Sequence, residues 1–169
     1  MVREANRLWI LVDYGSCSGC RLCEIVCALE HEGTIWPEAS RIRIFEEAYG
    51  APVPHLCVQC LDYPCVKSCP AGALSVNEAT GAVIVDDQKC IGCGKCIEAC
   101  PGKVPRIPKG KKTVVICDLC NGEPKCVKIC NEAGYNALKL YRGLYRPVFS
   151  TFAGDPREKS LALSKKMFD

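Results

Sequence analysis

Cys90-Ile91-Gly92-Cys93-Gly94-Lys95-Cys96-Ile97-Glu98-Ala99-Cys100-Pro101 decides how this chain is read. Three thiols at every third position wrap one corner of an iron–sulfur cube. A fourth cysteine after a gap of three, followed by proline, completes the bacterial ferredoxin run, in which that last thiol ligates the neighbouring cluster. Cys96 and Cys100 are four apart and lie one above the other on a helical turn, so a short helix can stand between two clusters. Pro101 lacks a donor and discourages helix in the residue before it. Gly92 and Gly94 carry no Cβ to keep backbone N–H groups away from inorganic sulfur.

Three further groups surround this one. Cys17, Cys20, Cys23 and Cys27 repeat its spacing with Ala28 in place of proline. Cys57, Cys60, Cys65 and Cys69 precede Pro70, and a turn at Asp62-Tyr63-Pro64 lengthens the second interval. Cys117, Cys120, Cys126 and Cys130 are followed by Asn131. The metal-binding unit is thus an internal repeat.

Composition agrees. The apolar share of 49% includes 16 cysteines, and without them it falls to about 40%, lean for a globular chain. Something other than side chains is expected to fill the interior. The first residues show no signal-peptide core, no cleavage site and no twin-arginine pair, and no run reaches membrane-spanning length. A reduced, cytoplasmic compartment with thiols serving metal is the expectation, rather than secreted disulfides. The formal charge is +3. Each oxidised four-iron cluster with four thiolates adds about −2, so four sites bring the net to about −5 and remove any argument for nucleic acid.

Strands are expected at Leu8–Val12, Arg41–Phe45, Thr113–Ile116 and Ala137–Tyr141, with a hairpin from Ala73–Val76 to Ala82–Val85 joining the second and third groups. Ala51-Pro52-Val53-Pro54 reads as a stiff connector. The outer strands Leu8–Val12 and Ala137–Tyr141 match, as do the inner strands Arg41–Phe45 and Thr113–Ile116. The fold class is therefore α+β: one ferredoxin-like unit (51–112, ending in the basic linker Gly102–Lys112) inserted into another (1–50 plus 113–141). The tail 142–169, polar with scattered Leu144, Val148, Phe149, Phe152, Leu161, Leu163, Met167 and Phe168, is expected to dock on a partner; a frayed terminus is the plainer alternative.

With His55 to Ala73 and Val85 to Pro101 as its sharpest parts, the chain resembles the four-cluster iron–sulfur electron-transfer subunits of molybdenum and tungsten oxidoreductases. Those include subunits of dimethyl sulfoxide reductases and formate dehydrogenases, and the compact size is similar to that of partner subunits of tungsten aldehyde oxidoreductases and benzoyl-coenzyme A reductases. The resemblance implies cross-ligation of four [4Fe-4S] clusters: Cys17/Cys20/Cys23/Cys130, Cys27/Cys117/Cys120/Cys126, Cys57/Cys60/Cys65/Cys100 and Cys69/Cys90/Cys93/Cys96. Every thiol is then used once and no iron is left open for substrate. No catalytic residue is expected, and the partner is a catalytic molybdenum or tungsten subunit, with a further redox subunit or ferredoxin beyond it.

Two rivals remain at this stage. A structural zinc protein would use C-x2-C pairs in tetrahedral sets, and a free-standing polyferredoxin would shuttle between enzymes. Lys89, Lys95, Lys103 and Lys125 stand beside the cysteine groups as candidates for raising local potentials, with surface solvation as the plainer reading. His31 and His55 are not needed as ligands.

Overall fold

The computed structural model describes residues 7–143 and 155–168. Strand β1 (Leu8–Val12) pairs antiparallel with β6 (Leu138–Arg142), in a register that sets Leu8 opposite Arg142 and Val12 opposite Leu138. Leu8 and Ile10 are buried, and Trp9 stacks on Tyr141 with ring centroids 4.9 Å apart. Strands β4 (Leu74–Val76) and β5 (Val83–Val85) form the expected hairpin. Its turn is an Asx turn: the Asn77 carboxamide oxygen accepts from the N–H groups of Ala79 and Thr80.

Helix α1 (Leu22–Glu32) ends where Gly33 enters the left-handed region at φ 68° and donates to the Leu29 carbonyl. It packs against α4 (Lys125–Glu132) beneath the β1–β6 ribbon, while the short α2 (Pro64–Lys67) packs against α3 (Lys95–Ala99) beside β4. Two ribbons, each with a helix pair, repeat one small α+β plan. The Leu8 N–H donates to Thr80 O at 2.8 Å and ties the outer ribbon to the inner hairpin.

The inner strands do not pair as expected. β2 (Arg43–Phe45) pairs with β3 (Val53–His55), Ile44 lying opposite Pro54. The residues expected as a strand at 113–116 contribute only an isolated bridge, Val115 to Arg106. The prolines that marked 51–54 as a connector are tolerated because a two-stranded ribbon leaves one edge of each strand unpaired, where a missing N–H costs nothing. This ladder also crosses the boundary expected at residue 51.

The basic linker returns the chain to the first segment. Arg106 donates to the carbonyls of Glu38 and Ser40, and Lys111 holds Glu32 at 2.8 Å, with Arg41 on the same carboxylate. In the tail, Pro156–Phe168 forms helix α5, which packs on β2 and β3 of its own chain. Ser160 is fully buried there. Its hydroxyl donates to Ala51 O at 2.8 Å and accepts from the N–H groups of Glu47 and Ala48. Leu144, Val148, Phe149 and Phe152 lie outside the described residues.

The core is lean in the expected way. Cys23, Cys27, Cys57, Cys65, Cys96, Cys100, Cys117 and Cys126 are members of the buried cluster, alongside Leu8, Ile42, Leu119 and Leu138.

Candidate iron–sulfur sites

All sixteen thiols are free, and only Cys20 and Cys93 are exposed. Cys17, Cys20 and Cys23 meet Cys130 around one cavity, whose other walls include Ile44, Leu138 and Pro54. Cys69, Cys90, Cys93 and Cys96 meet around a second, walled by Leu74, Ile107 and Val114. The remaining eight fall together by mutual charge. Burial pushes Cys60 up to about 12 and Cys65 up to about 11, and in both the Cys100 thiolate adds most among the charges. Burial likewise raises Cys126 well above its ordinary value, and among the charges Cys117, Cys27 and Cys120 add most. The structure thus gathers group one with group four, and group two with group three.

Short left-handed turns put these thiols there. In each group the residue two after the first cysteine has positive φ: Gly19 at 72°, Gln59 at 53°, Gly92 at 65° and Leu119 at 58°. Further left-handed residues follow: Arg21, Tyr63 and Gly94 in the first three groups, and Cys120, Asn121 and Gly122 consecutively in the fourth. Left-handed residues placed within such loops let backbone N–H groups face a common concavity that suits an anion. Other N–H groups reach the sulfurs directly, Arg41 to Cys27 at 3.2 Å and Ala73 to Cys69 at 3.3 Å.

These observations test whether an iron–sulfur group fits. Buried thiolates that repel one another are unstable without a positive core among them; Cys23 is pushed up to about 12 by burial, then by Glu24, Cys17 and Cys20. Apolar-walled cavities rimmed by four thiols and inward N–H groups supply what a cluster of net negative charge requires. Sixteen thiols fit four [4Fe-4S] clusters, which when bound exchange single electrons with no change of ligands.

His31 is a site residue that composition and spacing passed over. It lies four residues after Cys27 on α1. Nδ1 donates to the Cys27 carbonyl at 2.8 Å with the Cys27 sulfur 3.8 Å away, and Nε2 faces Asp118 Oδ1 at 3.0 Å. These bonds, Asp118 first, raise the imidazole to about 10. Burial pushes the Cys27 thiol up, but His31 and the Arg41 N–H outweigh it and leave the thiol below its ordinary value. The four-residue spacing from Cys27 was the available signal. His55 instead bonds Gly102 O at 2.8 Å. The lysines beside the groups are engaged elsewhere: Lys89 with Asp86, Lys95 with Glu98, Lys125 with Glu30 and Glu123, and Lys103 with the last carbonyls of α3.

Arg7 is a second such residue. It is 9% exposed; its guanidinium donates to the carbonyls of Gln59 and Cys60 and to the Tyr63 hydroxyl, and so fixes the loop of the second group.

Residues 49–139 match the 4Fe-4S dicluster domain family. The chain is 66% identical over 163 residues to the polyferredoxin-like subunit of an aliphatic sulfonate oxidoreductase from Pyrococcus furiosus, covering 96% of this chain and 94% of that one. It is 32% identical over 146 residues to the electron transport protein HydN of Escherichia coli, covering 72% and 82% of the two chains. It is also 29% identical over 147 residues to the iron–sulfur subunit of the nitrate-inducible formate dehydrogenase of Escherichia coli, 71% of this chain but 50% of that subunit. With the thiol geometry and these likenesses together, the chain belongs to the 4Fe-4S dicluster domain family of iron–sulfur electron-transfer subunits.

Proposed function

We propose that this chain is the non-catalytic wire of a cytoplasmic oxidoreductase complex, passing single electrons through four [4Fe-4S] clusters to or from a molybdenum- or tungsten-containing catalytic subunit. The ligand sets are Cys17/Cys20/Cys23/Cys130, Cys27/Cys117/Cys120/Cys126, Cys57/Cys60/Cys65/Cys100 and Cys69/Cys90/Cys93/Cys96. The observation that carries this reading is the pair of thiol-rimmed cavities, each combining three thiols of one group with the fourth of another. Each set uses four thiolates, so no iron is left open, and the sites are built for transfer rather than for substrate.

The organisation that goes with it is an inner unit, 51–112, nested in an outer one, 1–50 plus 113–141, with the tail 142–169 extending toward the partner. Exposed Leu161 and Met167 on α5 support that last assignment. The Pyrococcus furiosus relative supports a partner of its own class, an enzyme acting on an aliphatic sulfonate. Cys20 and Cys93, exposed in different sets, suit the wire's two ends, one facing the catalytic subunit and the other a further redox protein.

Anaerobic purification from the native source tests the assignment. The expected preparation contains about 16 iron and as much labile sulfide per chain, together with a catalytic subunit whose metal is tungsten or molybdenum. Substoichiometric iron, zinc in its place, or substrate turnover by the isolated chain would refute it. A monodisperse monomer would favour the polyferredoxin shuttle.

A further inference from the structure

The left-handed slot two residues after each group's first cysteine is filled by Gly19, Gly92, Leu119 and Gln59. Glycine adopts that conformation freely, whereas a side chain there is strained. Leu119 is fully buried in the core. Gln59 is the polar occupant, 5% exposed, and both ends of its carboxamide are engaged. Its Oε1 accepts from the Val83 N–H at 3.3 Å, its Nε2 donates to the Cys117 carbonyl at 3.0 Å, and its own carbonyl accepts from Arg7 at 3.1 Å. Its backbone stands two residues after Cys57, the thiol whose chief charged neighbour is Cys117.

These contacts trace one path. It starts at Cys57, runs along the backbone through Val58 to Gln59 and follows the Gln59 side chain. A hydrogen bond then takes it to the Cys117 carbonyl and on to the Cys117 sulfur. Cys57 belongs to the inner unit and Cys117 to the outer. Electron tunnelling is faster through bonds and hydrogen bonds than across packed but unbonded atoms, so a rigid amide at this crossing has a purpose that glycine would not serve.

We propose that Gln59 is the positioning residue that couples the Cys57/Cys60/Cys65/Cys100 set to the Cys27/Cys117/Cys120/Cys126 set. This rests on the ligand sets proposed above. One electron leaves the first set and arrives at the second; no bond forms or breaks and no proton moves. The carboxamide holds the Cys117 carbonyl and the Val83 N–H at a fixed separation, and Arg7 prevents the loop from turning away.

The test uses the assembled complex, prepared anaerobically with wild-type chain, with Gln59→Met and with Gln59→Asn. Methionine keeps the length without the amide; asparagine accepts the left-handed backbone but falls short of Cys117. Wild-type material with far less than about 16 iron sinks the ligand sets themselves, independently of Gln59. With iron retained, rapid mixing with a reduced viologen followed by freeze-quench electron paramagnetic resonance resolves which clusters fill first. The expected result in both variants is loss of the fast redistribution between inner and outer sets. Midpoint potentials and the magnetic interaction between neighbouring reduced clusters stay as in wild type. Redistribution as fast as wild type overturns the proposal. So does loss of the magnetic interaction, or loss of iron in both variants, because either makes Gln59 a spacer only.

Discussion

A β-carbon at position 92 would overlap the carbonyl oxygen of Lys112, on a backbone held at φ 65°. Gly92→Ala therefore combines a left-handed penalty of about 1–2 kcal/mol with displacement of the linker that passes over the third cysteine group. The expected outcome is lower iron content, with the deficit in the Cys69/Cys90/Cys93/Cys96 set, read by metal analysis and paramagnetic resonance. Glu32 acts differently. Burial raises its carboxyl, but hydrogen bonds from Lys111 and Arg41 outweigh that and leave it below its ordinary value of 4.5. A lowered carboxyl stabilises the fold above its unfolded value and ceases to do so as pH falls through the folded one. Glu32→Gln is expected to cost about 2 kcal/mol at neutral pH. The gap from wild type is full above pH 4.5 and closes on acidification below it, which denaturation midpoints measured across that range check. At this scale the thiols were legible because their spacing is periodic along the chain. Gln59 and Arg7 were not, because their partners Cys117 and Tyr63 are distant in sequence and no pattern announces them, and the spacing of His31 from Cys27 gives no sign of Asp118.

Helix α5 is held at its centre by one hydroxyl. Ser160→Ala would remove the partner of the buried Ala51 carbonyl and of the half-buried N–H groups of Glu47 and Ala48. The buried orphan alone costs about 1–3 kcal/mol, enough to release a helix that rests on two short strands. The expected result is faster proteolytic cleavage within Pro156–Phe168 with unchanged iron content, followed by mass spectrometry of the fragments. The ribbons β1–β6 and β4–β5 were legible from apolar runs and turn chemistry. The β2–β3 ribbon was not: Val53-Pro54-His55 carries a proline where a strand reading expects none, and only the pairing of Ile44 with Pro54 shows that its missing donor faces the free edge. The described part of the tail shows a related limit. A sparse apolar pattern gave no sign that α5 would also use a buried serine to settle on its own chain.

For the molecule as a whole, the buried cluster is so rich in thiols that the inorganic contents belong to the core. Stripping iron with a chelator and oxidant is expected to abolish the cooperative thermal transition and most far-ultraviolet dichroism, because the two-stranded ribbons and short helices among the described residues do not hold a fold of this size unaided. No helix among the described residues is long and apolar enough to cross a membrane. The pairing of β1 with β6 and of β4 with β5 was legible from the order of the apolar runs, and α1 pairs with α4 and α2 with α3 alongside them, whereas the inner strands pair differently. The closure of β1 on β6 then bears on biosynthesis. Leu8–Val12 leaves the ribosome early but has no mate until Leu138–Arg142 emerges. Long sequence separation makes such closure slow, whereas the central hairpin is made from neighbours. Folding is expected to proceed from the middle outward, so that a nascent chain stalled before its last strand has β4 and β5 paired while β1 still waits for its mate.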